Sequence, residues 1–444
     1  MAHGLASQSL SFWWILPFGG MLGSLALMPL LAIHFWEAHY GKIAFGWSFI
    51  TIAALLGIFG IPLVQTEILG TLFHHYLPFI IMIGALYTIS GGIQIDVEAS
   101  ATPAVNTALL VIGTLLAGWI GTTGASMLLI RPMLHVNRKR SYRVHHMIFF
   151  IFLVANIGGA LTPLGDPPLF LGFLNGVSFF WPTQHLILPM IVMVLPLLIL
   201  FYGIDAYFVS KEGIVFKKIR PQLNIKGKLN GFLFLGVIGF VLLSGLWHPT
   251  HSLTLGGVPL ELQNLLRDSG LVLLAILSWV LTPSAIHKAN RFSWEPLKEV
   301  AKLFFGIFIT VIPVIAILNA GPQGAMAPLV ALVEVGGQPH NTMYFWLTGL
   351  LSSFLDNAPT YLVFFNMAGG DVSLLMSTLS QTLVAISLGS VFMGAMTYIG
   401  NTPNFMVKSI AEGHNISMPS FFAYMAWSLT LLLPLFLLLS WWLF

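Results

Sequence analysis

The stretch LTPLGDPPLF at residues 161–170 returns as MTYIGNTPNF at residues 396–405, so that Thr162, Gly165, Pro168 and Phe170 recur as Thr397, Gly400, Pro403 and Phe405. Both copies interrupt an apolar run. The same displacement of 235 residues carries GTTGAS at 121–126 onto DNAPTY at 356–361, two further polar breaks inside apolar sequence. Two halves of one chain therefore share one plan. In a membrane protein, paired interruptions at corresponding positions of two halves point to a transport site built from broken helices.

The sequence around these breaks is that of a membrane protein. Of 444 residues, 57% are hydrophobic and only 7% charged, outside the range of soluble domains. Apolar runs of roughly 20 residues, each able to cross about 30 Å of hydrocarbon, follow one another from Phe12 to Phe444. No strand-length alternation runs through them, so the backbone must be satisfied inside helices. The expected class is an all-α polytopic membrane protein with about ten spans. The first run, from about Phe12 to Ile33, is too long for a signal-peptide core and reads as a retained span. Cysteine is absent, which removes disulfides and thiolate chemistry, and nothing in the composition suggests a nucleic-acid partner.

Fifteen of the 18 basic residues fall in three clusters: Arg131 to Arg143, Lys211 to Lys228, and Lys288 to Lys302. By the positive-inside rule all three belong in the cytoplasm. Counting spans between them closes without contradiction if the apolar stretches 104–134 and 341–368, with their polar breaks near the middle, each return to their own side. The first then dips from the cytoplasm and the second from the opposite face, which makes an inverted repeat. The expected division is an N-terminal span over 1–43, a first repeat over 44–209 with a hairpin at 104–134 and a broken helix at 145–180, a connector with a linking span and an outer loop over 210–268, and a second repeat over 269–444 with a hairpin at 341–368 and a broken helix at 380–411.

The breaks carry the chemistry. Pro163, Pro167 and Pro168 surround Asp166, and a helix cannot continue through them because each proline removes a backbone donor and clashes with the preceding turn. The released carbonyls and the Asp166 carboxylate are hard oxygen ligands, suited to sodium, lithium or a proton, and Gly165 lets the chain bend closely. The second copy has Gly400 and offers amide and hydroxyl oxygens from Asn401, Thr402 and Asn404. The hairpin tips show the reverse distribution: Thr122, Thr123 and Ser126 in the first, Asp356, Asn357 and Thr360 in the second. Each broken element thus has one acidic and one neutral copy. Intramembrane carboxylates cost roughly 2.5 to 3.5 kcal/mol even on lenient insertion scales, which makes Asp166 and Asp356 functional candidates. The plainer reading of LGDPP is a hydrated turn at the membrane surface, and of DNAP an Asx-type helix cap. Asp205, beside the second basic cluster, reads as interfacial, and His145 with His146 as residues flanking a membrane end.

The pattern resembles the ion transporter superfamily, in particular its NhaD-like sodium/proton antiporters and its citrate-transporter-like, CitMHS-type families. The resemblance rests on NIGGALTPLGDPP at 156–168, LDNAPT at 355–360 and GNTPN at 400–404, and spans about 44 to 443. It implies a homodimer in which a transport domain of hairpins and broken helices moves against a fixed scaffold. It also implies a place in a bacterial inner membrane, with Asn156 of the first motif among the supporting residues.

Two transport functions follow. The first is a sodium or lithium/proton antiporter working by alternating access, with Asp166 and Asp356 alternately holding cation and proton and no cofactor beyond the alkali ion. It is favoured because buried acids repel an organic anion in a medium of low dielectric. The second is a cation-coupled carrier of citrate or another organic anion, in which the same acids hold coupling ions and half-helix N-termini meet the substrate. Intramembrane aspartyl proteolysis also needs two carboxylates, but the first glycine of Gly-x-Gly-Asp is missing before Asp166 and no Pro-Ala-Leu segment exists, so no enzyme is expected.

Overall fold

The computed structural model describes residue 5 and residues 10–216, 221–249, 251–320 and 324–444, the side chain of Leu30 excepted. Lys217, Lys218 and Arg220 of the second basic cluster lie outside the described residues. The chain is an all-α membrane protein: among the described residues nine helices are long and apolar enough to cross a bilayer, or ten if Phe421–Leu431 and Leu433–Leu443, bent by 41°, form one span. Three short antiparallel ribbons lie outside these helices. One of them, Ser252–Leu255 with Val258–Glu261, turns through Gly256 and Gly257, both at positive φ as a tight hairpin demands.

Burial divides the helices into two groups. In Val144–Leu161, 94% of residues are buried, whereas in the most apolar 18 residues of Ile33–Phe59 the figure is 22%, which leaves Phe45 and Phe49 facing outward. In lipid no hydrophobic force draws helices together, so close approach depends on small residues and hydrogen bonds. Asn341–Phe354 and Ser380–Met393 cross where Gly349 and Gly389 carry no side chain; a Cβ on Gly389 would sit 2.6 Å from the Phe345 carbonyl oxygen. In the peripheral group, the end of the Ile61–Gly91 span is held by two asparagines from the second half of the chain. Asn230 donates to the Gly92 carbonyl, and Asn290 to those of Gly91 and Ile93.

Described residues of the three basic clusters lie near one another at one end of the bundle. Arg131 donates to the Asn290 carbonyl beside the third cluster, and the strand Gln94–Glu98 pairs with Gln222–Lys226 of the connector. Boundaries shift at the N-terminus, where Ile33–Phe59 already contains His34, Glu37, His39 and Lys42, with polar side chains that reach the interface from a helix end. Arg267 and Asp268, expected in an outer loop, lie inside the helix Leu262–Leu281, where they pair at 2.8 Å.

Candidate functional site

Each of the four polar breaks ends one helix and begins another. Pro103–Ile120 stops at Gly121, whose φ of +84° only glycine adopts readily, and Thr122–Val136 follows. Asn341–Phe354 stops before Asp356, which caps Asn357–Met367 by accepting from the Ala358 N–H at 3.2 Å. In the broken helices Asp166 and Asn401 are extended, and Pro167–Leu174 and Thr402–Glu412 begin after them. Proline suits these first turns, where a missing N–H costs nothing.

The two copies are built alike in detail. Thr162 Oγ1 donates to the Gly118 carbonyl and accepts from Leu164 N–H, while Thr397 Oγ1 donates to the Ser353 carbonyl and accepts from Ile399 N–H. Both partners, like the threonines themselves, are related by the same 235-residue displacement. A Cβ on Gly165 would lie 2.2 Å from the Gly159 oxygen, and one on Gly400 2.6 Å from the Gly394 oxygen. The unwound chain is folded so tightly on itself at both places that no side chain fits.

Three of the four breaks converge on one carboxylate. Asp166 Oδ1 accepts from Thr122 Oγ1 at 2.9 Å and from Asn401 Nδ2 at 3.2 Å, and its Oδ2 accepts from Asn357 Nδ2. The fourth break is the one that carries Asp166, and a further contact ties two of the others: Thr402 Oγ1 lies 3.4 Å from Asp356 Oδ2, while the Asp356 carbonyl accepts from Thr360. A second layer straps the broken helices together. Asn156 donates to Asn404 Oδ1 at 2.7 Å, and Asn404 donates to the released carbonyls of Gly394 and Thr397. Thr123 only borders the centre, and Ser126 lies about a turn along the same helix, its buried Oγ without a hydrogen-bond partner among the described residues.

Asp166 is 1% exposed and Asp356 7%, and neither makes an ion pair among the described residues. Charge compensation comes from elsewhere. Four half-helices present their N-termini here, each carrying about half a positive charge, so together they offset about two negative charges. Asn357 Oδ1 is buried without a partner among the described residues, an oxygen one amide away from the carboxylate and free to face a cation. Beside Thr122 and Thr123 lies a cavity of about 50 Å³, walled by Leu86, Tyr87, Gly165 and Pro167. It is large enough for a water or a bare cation.

A second polar cluster departs from the sequence expectation. Asp205, read from sequence as interfacial, is 0% exposed, and its carboxylate accepts from Arg140 at 2.9 Å and Asn106 at 2.8 Å and meets His145 and His146 at 3.0 and 3.1 Å. Both histidines stand at the start of the span Val144–Leu161, at a membrane end as expected, but are buried in protein there. The donor atoms of His145, His146 and Asp205 lie within 4.8 Å of one another, a spacing a metal could use. Arg140 already occupies that oxygen, however, and its guanidinium also binds Glu212, so the cluster is a filled ion-pair network. The helix Trp181–Glu212 carries Asp205 beyond its apolar core into a place covered by protein. Only the lone acid at the end of that apolar run hints at it. Asp205→Leu removes the acceptor of several buried donors at about 1–3 kcal/mol each; a loss of about 3–5 kcal/mol is expected as a lowered melting temperature in detergent.

A family model described as "Putative citrate transport" matches residues 7–444, nearly the whole chain. No curated protein matches it.

Proposed function

The chain belongs to this family and is a multi-pass, ion-coupled secondary transporter, and from that premise we propose that it carries citrate or a related organic polycarboxylate together with a coupling cation, sodium or lithium. The observation that carries the reading is the convergence of four half-helix N-termini on one buried point that also holds two carboxylates. N-termini favour an anion, and carboxylates favour a cation. The sum decides how the two are coupled. About two positive charges from the helix ends are already balanced by Asp166 and Asp356, so a polycarboxylate arriving alone meets no net attraction. Once cations sit on Asp166 and Asp356, the helix ends are left free for the substrate. Coupling is then obligatory because neither ligand is accommodated well without the other. Asp166, Asn401 and Asn357 hold the first cation, with Asp356 and Thr402 at the second position, and Thr122, Asn156 and Asn404 keep the breaks in register. The same proposal has the protein as a homodimer in a bacterial inner membrane, with hairpins and broken helices moving against the peripheral spans.

A second reading, sodium/proton antiport, is favoured by the small size of the cavity beside Thr122, which suits an ion alone. Proteoliposomes separate the two. Radiolabelled citrate uptake is expected to rise at least about tenfold when an inward sodium or lithium gradient replaces choline. Absence of uptake, with sodium alone moving protons across the membrane, would transfer the chain to the antiport reading.

A further inference from the structure

At the basic end of the bundle, four arginines face one concavity. Arg131, Arg138, Arg143 and Arg291, with His135 and His414, line a cavity of about 370 Å³, within the range of roughly 300–1,000 Å³ typical of small-ligand sites. Among the described residues no carboxylate lines it, and none of the four arginines makes an ion pair. Residues that merely set topology need only be solvated at the interface. These instead converge from distant parts of the chain: the helix Thr122–Val136 and the loop after it, the start of Val144–Leu153, the turn after Ser284–Ala289, and the end of Thr402–Glu412.

Local structure holds the guanidiniums in place. Arg143 donates to the Asn415 carbonyl at 3.1 Å and Arg131 to that of Asn290, so both are tethered by neutral partners that leave their charge uncompensated. Arg291 sits at φ +46°, a left-handed conformation uncommon for an arginine, fixed by N–H bonds from Arg291 to Lys288 and from Phe292 to His287. The nearby C-terminal ends of Thr122–Val136 and Thr402–Glu412 offset part of the positive charge but supply no ligand for the forked donors. Such donors match paired oxygens of carboxylate or phosphate groups.

We infer that the cavity lined by Arg131, Arg138, Arg143 and Arg291 is a binding site for a polyvalent oxyanion, distinct from the centre at Asp166. The site closes a gap between the two halves of the chain, because Arg291 belongs to the second half and Arg131, Arg138 and Arg143 to the first. Two half-helices run from the Asp166 centre to it, and 15 residues of Thr122–Val136 set the separation at about 22 Å. An anion bound here bridges the segment at Arg291 to helices that begin at the centre, whichever ion or anion crosses the membrane. The oxyanion comes either from solution or from an anionic lipid headgroup.

The test uses purified protein and two probes: inorganic pyrophosphate in neutral detergent, and nanodiscs of phosphatidylcholine with or without cardiolipin. Arg138→Ala/Arg291→Ala removes two exposed lining charges. Lys139→Ala/Lys288→Ala removes the same net charge from the same end without touching the lining. Calorimetric affinity for pyrophosphate, or stabilisation by cardiolipin, is expected to fall at least tenfold in the arginine variant and less than twofold in the lysine variant. A response to pyrophosphate alone identifies a soluble anion, and a response to cardiolipin alone identifies a headgroup. Equal behaviour of the two variants, or no binding of either probe to the unaltered protein, would overturn the inference. Should the double variant not fold, Arg291→Gly, which keeps the left-handed turn, replaces it with the same expected direction.

Discussion

Asp166→Asn is expected to lower cation-dependent transport by at least about 100-fold, about 2.7 kcal/mol of lost stabilisation, while leaving the protein folded. The separation of these effects follows from the hydrogen bonds. Thr122 and Asn401 donate to one oxygen of Asp166, which an asparagine retains. Asn357 donates to the other oxygen, which becomes an NH₂ group; but Asn357 has an Oδ1 unpartnered among the described residues, so a flip of its amide restores the bond. Only the charge is lost. Asp166→Ala differs, because it strands three buried donors at about 1–3 kcal/mol each. Proteoliposome flux and thermal melting of the same preparations check both statements. An asparagine variant that melts normally and still shows cation-dependent transport would remove Asp166 from the cation site.

Gly165→Ala is expected to have the largest effect on folding, a loss of more than about 4 kcal/mol or failure to accumulate in the membrane. Its Cβ would meet the Gly159 carbonyl oxygen at 2.2 Å and the Gly159 carbon at 2.8 Å, both backbone atoms of the same broken element. Neither can swing aside as a side-chain tip does. The Gly165 carbonyl also accepts from Thr122 N–H at 2.8 Å, so any displacement pulls the first tip away from Asp166. Gly203→Ala is the matching control. It lies in the helix Trp181–Glu212, where an added methyl would have nothing within 4 Å and alanine is the better helix former. Fluorescence-detected size exclusion and melting curves should separate the two sharply, and a Gly165→Ala protein as stable as the Gly203→Ala control would contradict the packing described for the break.

The internal repeat makes much of this arrangement readable. The displacement that aligns Thr162 with Thr397 and Gly165 with Gly400 also aligns their hydrogen-bond partners, because both copies solve the same problem of an unwound chain inside a bilayer. The all-α class and the gathering of the basic clusters at one end follow from composition and charge placement. Contacts that break the symmetry are not readable. The bond between Asn156 and Asn404 joins positions that are not counterparts in the repeat, and periodicity carries no information about it. The meeting on Asp166 does follow the repeat, since Asn401 is its counterpart 235 residues on and Asn357 is the counterpart of Thr122, which also donates to it. Asp205 escapes the sequence for a different reason. Depth along a helix longer than the bilayer says nothing about whether protein or water covers its end, and here Arg140, Asn106 and two histidines cover it.

In the proposed coupling, one convergent site accommodates a cation and an organic anion only together. Binding linkage tests it most directly: the affinity of the purified protein for citrate is measured across a series of sodium concentrations at constant ionic strength, and the affinity for sodium with and without citrate. Linkage requires the two enhancements to be equal. Sodium is expected to tighten citrate binding at least about tenfold, citrate to tighten sodium binding by the same factor, and Asp166→Asn to remove both effects. Citrate affinity independent of sodium, or sodium binding with no response to citrate, would contradict that coupling.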